Sequence, residues 1–285
     1  MKRVAIASGK GGTGKTTIST NLATFLAKNG EDVILADVDV EEPNASLFLK
    51  PNFTKTIEAK KAHPIWENEN CTLCGDCARH CHFNALLALP SEILIFPNLC
   101  HSCYACSELC PTNSLPMKEA RIGEINMGDS YGVKIIEGKL DVGQEMATAL
   151  IAQTLEKACE RAKKDSILIY DSPPGTSCSF VETIKECDFV ILITEPTHFG
   201  LNDLKIAIKT CKALDKECGV VINRFSVGSL KIEEFCEGEN VEVLGKIEHS
   251  QEIAKSYAKG ELIHSNLEVF KNALENIWEN TRKKL

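Results

Sequence analysis

Short runs of consecutive apolar residues recur along this chain, separated by segments with apolar residues at helical spacing. The runs predict buried strands at residues 2–8, 33–36, 167–170, 189–193, 219–222 and 243–245. The spacing predicts helices at residues 15–28, 145–164 and 200–214, with two more helices closing the chain. Buried strands that alternate with helices are typical of an α/β fold with a doubly wound, mostly parallel sheet. Ligands of such folds bind at the carboxyl ends of the strands.

This pattern is interrupted over residues 63–117, where the chain is rich in cysteine and shows little helical periodicity. The interruption predicts a small inserted α+β module over residues 63–117. Residues 1–62 and 118–285 then form one discontinuous α/β domain. Eight of the fourteen cysteines lie between Cys71 and Cys110. Because disulfides are rare inside cells, such a block indicates a ligand set rather than cross-links.

The composition is that of an ordinary folded protein, with 285 residues, 44% hydrophobic residues and a net charge of −8. The acidic balance gives no sign of a nucleic-acid surface, so no nucleic-acid partner is expected. No apolar stretch approaches the roughly 20 residues that span a bilayer, and a secretory signal is not visible. A cytoplasmic protein is therefore expected.

An apolar stripe near the C-terminus raises the question of membrane binding. It consists of Leu267, Phe270, Leu274, Ile277 and Trp278. Glu268, Glu275 and Glu279 work against binding to anionic lipid. Since a helix packed on a sheet has the same stripe, we expect core packing and no membrane partner.

Residues 9–16 read Gly-Lys-Gly-Gly-Thr-Gly-Lys-Thr and fit the P-loop pattern G-x-x-x-x-G-K-[ST]. The motif directly follows a predicted strand and precedes a predicted helix, which is the context that supports it. Its glycines allow backbone N–H groups to surround phosphate oxygens, and the helix N-terminus adds partial positive charge. Lys15 would reach the β- and γ-phosphates, and the Thr16 hydroxyl would bind Mg²⁺.

The second residue of this loop, Lys10, adds a further feature. A loop of the form K-G-G-x-G-K-T resembles the deviant Walker A motif of the MinD/ParA/Mrp family, to which the nitrogenase iron protein also belongs. The resemblance implies Mg²⁺-dependent hydrolysis of ATP to ADP and phosphate. It also implies a homodimer with ATP sandwiched at the interface, in which Lys10 crosses to the nucleotide of the other subunit.

Two acidic segments extend this resemblance. Asp37 and Asp39 end the second predicted strand, at the position of the family's first switch. Asp171 begins Asp-Ser-Pro-Pro-Gly, which resembles the second switch and ends at Gly175. The resemblance implies that Asp39 orients the attacking water, while Asp37 and Asp171 lie on the Mg²⁺ side. Gly175 would sense the γ-phosphate. Helix capping is the alternative role for Asp37 and Asp171.

Asn223 and Arg224 end a later strand, where relatives contact the adenine base; a turn is the alternative for Asn223. Relatives often have proline where Glu248 stands. The predicted nucleotide-binding residues are Gly11, Gly12, Thr13, Gly14, Lys15, Thr16, Thr17, Asn223 and Arg224. The predicted catalytic residues are Lys10, Lys15 and Asp39. The predicted Mg²⁺ residues are Thr16, Asp37 and Asp171.

Two cysteine runs share the spacing C-x₂-C-x₂-C-x₃-C. They consist of Cys71, Cys74, Cys77 and Cys81, and of Cys100, Cys103, Cys106 and Cys110. This spacing resembles that of bacterial ferredoxins, in which the fourth cysteine of each run binds the other of two [4Fe–4S] clusters. The resemblance implies one cluster on Cys71, Cys74, Cys77 and Cys110, and a second on Cys81, Cys100, Cys103 and Cys106.

Zinc sites and disulfides are the alternatives for these eight cysteines, and two complete runs fit both less well. His82 stands where proline usually follows the first run. Cys178 lies seven residues after Asp171, where the nitrogenase iron protein has a cluster ligand. Residues 142–145 hold no cysteine for a bridging cluster of that type.

The combined resemblance implies an ATP-driven dimer coupled to electron transfer, or to the assembly of a metal–sulfur cluster on a partner. The partner would be a redox or metallocluster protein. One alternative is a positioning ATPase of the MinD/ParA kind whose clusters are structural or sense redox state. Another is an electron carrier with a degenerate nucleotide site, against which the intact Lys15, Thr16 and Asp39 argue.

Overall fold

The computed structural model describes residues 1–226 and 232–285. The strands found there are β1 (Lys2–Ala7), β2 (Val33–Asp37), β3 (Asn52–Pro64), β4 (Leu86–Ala88), β5 (Ile93–Ile95), β6 (Met117–Ser130), β7 (Val133–Leu140), β8 (Ile167–Asp171), β9 (Phe189–Thr194), β10 (Cys218–Phe225) and β11 (Glu242–Glu248). The helices found there are α1 (Lys15–Lys28), α2 (Ala45–Leu49), α3 (Asp76–Arg79), α4 (Ala105–Glu108), α5 (Ala147–Glu160), α6 (Cys178–Ile184), α7 (His198–Ala213), α8 (Ile232–Gly238), α9 (Gln251–Ala258) and α10 (Glu268–Arg282).

The chain divides into two compact units. The first comprises Met1–Ile57, Ile125–Lys139 and Ile151–Leu285. The second comprises Glu58–Glu124 and Leu140–Leu150. The second unit includes the predicted module of residues 63–117 and is longer at both ends.

The first unit is built on a sheet with the strand order β11-β10-β9-β1-β8-β2-β7-β6-β3, to which β3 and β6 contribute only part of their length. Each neighbouring pair from β11 to β7 is parallel. Residues 33–37, 167–171 and 189–194 are buried along their whole length, as expected for strands covered on both faces. The predicted α/β fold with a mostly parallel sheet is confirmed.

The register of this sheet brings acidic residues together at one edge. Asp171 lies opposite Asp37, and Asp37 lies opposite Glu137 on β7. Residues that pair in register on neighbouring parallel strands point to the same face of the sheet. The carboxyl edge of β8, β2 and β7 therefore carries a row of three acidic side chains.

Sequence patterning does not predict β3, β6 and β7. Most residues of β3 are exposed or half-buried, so this strand has no continuous apolar run. The strands β6 and β7 are joined through Tyr131 and Gly132, which have φ values of 50° and 77°. Two residues of positive φ match a type I′ hairpin turn, although Tyr131 is not a residue that predicts one.

The core of the first unit lies between the sheet and the helices that cover it. Phe270, Leu274, Ile277 and Trp278 of α10 are buried in this core. Close approach of the helix requires Gly245 on β11, because a Cβ there would lie 2.6 Å from Ile277 Cγ1. The C-terminal stripe thus packs on the sheet, as expected. No helix among the described residues is long and apolar enough to cross a membrane.

The second unit has a small core of its own. The antiparallel pair β4–β5 and three cysteines contribute to it. Its buried residues are Cys77, Ala85, Leu86, Ile93, Cys100, Cys106 and Leu115. Burial of Cys77, Cys100 and Cys106 among aliphatic side chains holds part of each cysteine run in a fixed position.

Candidate nucleotide site and cysteine sites

The P-loop connects β1 to α1, as the motif predicts. Gly12 and Gly14 have φ values of 76° and 101°, which side chains rarely adopt. A Cβ on Gly9 would lie 2.6 Å from the Cβ of Asp203 on α7, so the loop also needs glycine for close packing. Gly14 caps α1, and no described side chain makes a capping hydrogen bond there. Its first backbone N–H groups therefore stay available to an anion.

A cavity of about 370 Å³ opens in front of this loop. The predicted site residues that line it are Gly11, Gly12, Gly14, Lys15, Thr16, Thr17, Asp39, Asn223 and Arg224. Its far side is formed by residues from β11 to α10, including Glu248, Ser250, Ile253, Tyr257 and Phe270. Glycine and threonine of the loop thus face a wall that is partly apolar and partly aromatic, as a nucleotide requires.

Lys15 and Asp171 lie at the base of the site. Lys15 is 6% exposed and Asp171 is 1% exposed. Burial lowers the pKa of Lys15, against the attraction of Asp171 first and then Asp39. Burial also raises the pKa of Asp171 to about 6, although Thr16, Lys15 and Ser19 oppose the shift. Neither carboxylate oxygen of Asp171 has a hydrogen bond of good geometry from the described residues.

Two buried carboxylate oxygens without hydrogen-bond partners destabilise the folded protein unless a cation or a hydrogen-bond donor binds to them. A divalent cation is the chemical partner that carboxylate and hydroxyl oxygens prefer. The Asp171 carboxylate and the Thr16 hydroxyl therefore fit a Mg²⁺ ion by their chemistry.

Asp37 has a different set of contacts. Its carboxylate accepts hydrogen bonds from the backbone N–H groups of Asp39 at 3.2 Å, Asn44 at 3.0 Å and Ala45 at 2.9 Å. Burial, followed by repulsion from Asp171, raises its pKa well above the usual range. These bonds hold the loop between β2 and α2 in place, which is the capping role that remained open for this residue.

Asp39 lines the cavity directly. Burial and then repulsion from Asp171 raise the pKa of Asp39 to about 7, and the opposing attraction of Lys15 is smaller. A carboxyl group with such a pKa lies near the range in which general bases work. Its predicted role in orienting water stays a prediction.

The last two predicted site residues lie at the end of β10. Asn223 Nδ2 donates a hydrogen bond to the backbone oxygen of Thr13 at 2.7 Å, so Asn223 supports the P-loop itself. Arg224 lines the cavity and its guanidinium pairs with Glu195. Lys10 also contacts Glu195, with Nζ to Oε2 at 3.0 Å.

The cysteines of the second unit surround two separate small cavities. The first cavity is lined by Cys71, Cys74, Cys77 and Cys110. The second is lined by Cys81, Cys100, Cys103 and Cys106. Each group joins three cysteines of one run to the fourth cysteine of the other, as the resemblance to ferredoxins implies.

The backbone around the two runs repeats at a fixed interval. Positive φ values occur at Leu73 and Ser102, at Gly75 and Tyr104, and at Asn84 and Asn113. Each pair is separated by 29 positions, as are the matching cysteines. The left-handed conformation of Leu73 and Tyr104 is costly for such residues, so both runs wrap in the same strained way around their cavities.

Backbone N–H groups point at the sulfur atoms in this unit. Ala85 donates to Cys81 Sγ at 3.3 Å, and Ser114, 29 positions later, donates to Cys110 Sγ at 3.2 Å. Burial raises the pKa of Cys106 to about 11. Four thiols per cavity with N–H donors fit a [4Fe–4S] cluster, whose potential such hydrogen bonds tune. The described residues offer no group of three ligands arranged for a single metal ion.

Comparison with known proteins gives the family. Residues 4–263 match the family described as the CobQ/CobB/MinD/ParA nucleotide binding domain. The chain belongs to this family. It is 30% identical over 272 residues to an uncharacterized protein of Methanocaldococcus jannaschii, covering 92% of this chain and 91% of that protein.

Two further similarities are to an archaeal relative and to a solved structure. An iron–sulfur cluster carrier protein of Pyrococcus abyssi is 24% identical over 268 residues, covering 86% of this chain and 73% of that protein. The solved structure of the septum site-determining protein MinD of Pyrococcus horikoshii, complexed with Mg-ADP, has a TM-score of 0.60 at 21% identity. The alignment covers 98% of this chain and 95% of MinD. The chain is thus a MinD/ParA-type nucleotide-binding protein with the MinD fold.

Sequence reasoning misses two acidic residues in this MinD/ParA-type site. Glu137 is 5% exposed, and its Oε2 atom has no hydrogen-bond partner among the described residues. It lies on β7, which the apolar pattern does not predict. Glu195 follows the predicted strand 189–193, so a strand-end position was the available signal. Cys178, by contrast, is an exposed thiol at the start of α6.

Proposed function

We propose that this chain is an ATP-binding and ATP-hydrolysing iron–sulfur protein. Its ATP-dependent homodimer is coupled to electron transfer, or to assembly of an iron–sulfur or other metal cluster on a partner. The observation that carries the proposal is the presence of two four-cysteine cavities in the same chain as a P-loop with a buried Lys15–Asp171 pair. The iron–sulfur cluster carrier protein of Pyrococcus abyssi, a relative along most of this chain, supports the same function.

At the nucleotide site, Lys15 and the free N–H groups at the start of α1 hold the β- and γ-phosphates. Thr16 and Asp171 hold Mg²⁺, which neutralises charge on the phosphates when bound. Asp39 orients the attacking water, and Lys10 of the other subunit completes the charge around the γ-phosphate. The chemistry itself needs little beyond such positioning and neutralisation.

The second unit acts as a ferredoxin-like insertion with two [4Fe–4S] clusters. Cys71, Cys74, Cys77 and Cys110 hold one cluster; Cys81, Cys100, Cys103 and Cys106 hold the other. The clusters supply one-electron chemistry, or serve as cargo. Cys74 and Cys103 are exposed, so a partner would have access to one cysteine ligand of each group.

Metal content tests the cluster part of the proposal. The anaerobically purified protein is expected to hold about eight irons per chain. Cys77→Ser is expected to reduce this to about four and to leave the spectrum of the second cluster. Cys178→Ser, which changes an exposed thiol outside both groups, is the matched control and keeps all eight irons. Zinc without iron in the wild type would contradict the proposal.

Dimerisation tests the nucleotide part. A non-hydrolysable ATP analogue with Mg²⁺ is expected to double the mass measured by light scattering, and Lys10→Ala to abolish the change. Lys209→Ala, an exposed lysine on α7, is the control. If electron or cluster transfer from the iron-loaded protein to an acceptor is the same with and without nucleotide, the positioning ATPase with structural clusters is favoured instead.

A further inference from the structure

Glu195 lies at the carboxyl end of β9, directly before α7. It is 9% exposed although it is a carboxylate. Hydrogen bonds of the residues before and after Glu195 fix its position. Thr194 Oγ1 donates to the backbone oxygen of Gly200 at 3.0 Å, and Thr197 caps α7 by accepting from Gly200 N–H at 3.0 Å. A Cβ on Gly200 would collide with the backbone oxygen of Glu195.

Two cations share this one carboxylate. Lys10 Nζ donates to Glu195 Oε2 at 3.0 Å, and the Arg224 guanidinium donates to Glu195 Oε1. The side chain of Lys10 is 33% exposed and that of Arg224 is 55% exposed, against 11% for Glu195. The carboxylate is therefore the buried, fixed member of the cluster, and the two cations are the members with room to move.

Arg224 is held at this place by its backbone. Its φ of 54° is unusual for arginine, and the pairing of β10 with β11 is irregular between Ile222 and Phe225. Arg224 N–H donates to Asn223 Oδ1 at 2.9 Å, and the amide of Asn223 reaches the Thr13 oxygen of the P-loop. The end of β10 thus presents a cation to Glu195 and supports the P-loop at the same time.

We propose that Glu195 is a positioning residue that retains Lys10 in its own subunit until ATP binds and a second copy of the chain docks. This inference rests on the proposed function, in which Lys10 reaches the nucleotide of the other subunit. A lysine that is bound to a carboxylate of its own chain has to leave that carboxylate before it crosses.

Arg224 lowers the free-energy cost of releasing Lys10 from Glu195. A buried carboxylate that loses its only cation carries a desolvation penalty that would oppose dimerisation. Because Arg224 already contacts the other carboxylate oxygen, Glu195 stays paired when Lys10 leaves. Glu195 thereby sets how much ATP is needed for the dimer, and Arg224 reduces that requirement.

Substitution of Glu195 tests the retention. Glu195→Gln keeps the size of the side chain and removes its charge, so Lys10 is released in the monomer. The concentration of the non-hydrolysable ATP analogue that gives half-maximal dimer is expected to fall about five- to tenfold. Glu239→Gln, which breaks the exposed ion pair of Glu239 with Lys212, is the matched control and leaves this concentration unchanged.

A second variant predicts the opposite sign. Arg224→Gln leaves Lys10 as the only cation on Glu195 among residues 1–226 and 232–285, so the analogue concentration for half-maximal dimer is expected to rise. In the Lys10→Ala background, Glu195→Gln is expected to give no gain in dimer. A merely structural role of Glu195 would impair dimerisation in both single variants, and that result would overturn the proposal.

The ATP-sandwiched dimer and the retention of Lys10 by Glu195 are contradicted by different results. A wild-type protein that stays monomeric with the analogue would contradict the ATP-sandwiched dimer, and the retention role with it. A wild type that dimerises while Glu195→Gln has the same midpoint would overturn the retention role alone.

Discussion

The carboxyl groups of Asp171, Asp37 and Glu137 lie in register at one edge of the sheet, and each is at least nine-tenths buried. Burial is unfavourable for a charged carboxylate, which is why the pKa values of Asp37 and Asp171 are raised. Active sites commonly trade stability for such chemistry. Asp37 regains part of the cost through three backbone hydrogen bonds, whereas Asp171 has none of good geometry in the described chain.

Asp171→Asn is therefore expected to stabilise the nucleotide-free protein. Loss of the buried charge should raise the free energy of unfolding at pH 8 by about 1–3 kcal/mol. The same change should abolish stabilisation by Mg-ADP, which denaturant titration with and without the nucleotide measures. Asp165→Asn, at an exposed position, should stay within about 0.5 kcal/mol of wild type. A destabilised apo variant would contradict this explanation of the orphaned oxygens.

The stability of the first unit is expected to depend on pH through His264. Burial lowers the pKa of His264 to about 4 from its ordinary 6.5, and its ring nitrogen lies 3.1 Å from Asn21 Oδ1. Since the unfolded chain binds a proton near pH 6.5 and the folded one only near pH 4, the stabilisation is complete above pH 6.5 and is lost as the pH falls towards 4.

Over that window the wild type should lose about 3 kcal/mol that a His264→Asn variant does not lose. Urea titrations of both proteins at several pH values measure the difference, in which the titration of the site carboxylates cancels. Parallel pH profiles of the two proteins would show that His264 does not titrate as its environment predicts.

At the scale of elements, α10 shows how an ambiguous stripe is resolved by packing. Leu274 is fully buried against the sheet, while Glu275 beside it is exposed. Leu274→Ala should lower the free energy of unfolding by about 2–5 kcal/mol through loss of contacts and a cavity. Glu275→Ala should change it by less than about 0.5 kcal/mol. Equal small effects would mean that the helix is not docked in solution.

Some strands of the sheet are predictable from the sequence and others are not. The strands β1, β2, β8 and β9 are predicted because continuous apolar runs are required for strands that are covered on both faces. The strands β3 and β6 escape prediction because they are long and partly exposed. The strand β7 escapes because Lys134 and Glu137 interrupt its apolar run, and because Tyr131 before it occupies a turn that usually needs Asn or Gly.

The residues of the candidate sites also differ in whether the sequence predicts them. Lys15, Thr16 and the eight cysteines are predictable because phosphate and cluster ligation impose fixed spacings. Glu195 and Glu137 are not, because Glu195 meets Lys10 and Arg224, and Glu137 lies opposite Asp37, only when residues far apart in sequence come together in the fold. The partner that Asn223 takes, the P-loop backbone at Thr13, is likewise visible only in three dimensions.

At the scale of the whole molecule, the chain passes several times between its two compact units. It leaves the first unit after Ile57 and again after Lys139, and it returns at Ile125 and Ile151. The first departure comes after α2 and the start of β3, which follow the loop that Asp37 holds, and the second comes at the end of β7, which carries Glu137. Under the proposed function, nucleotide-dependent changes at these carboxylates would reach the cysteine unit through these chain connections.

The central claim is that nucleotide controls the clusters. The most direct measurement mixes the anaerobically purified, iron-loaded protein with an acceptor, either an oxidised redox protein or an apo-ferredoxin, and follows the visible absorbance of the clusters. The account predicts that MgATP changes the transfer rate by about fivefold or more, and that Lys15→Ala removes this effect. Equal rates with MgATP, with a non-hydrolysable analogue and without nucleotide would contradict it.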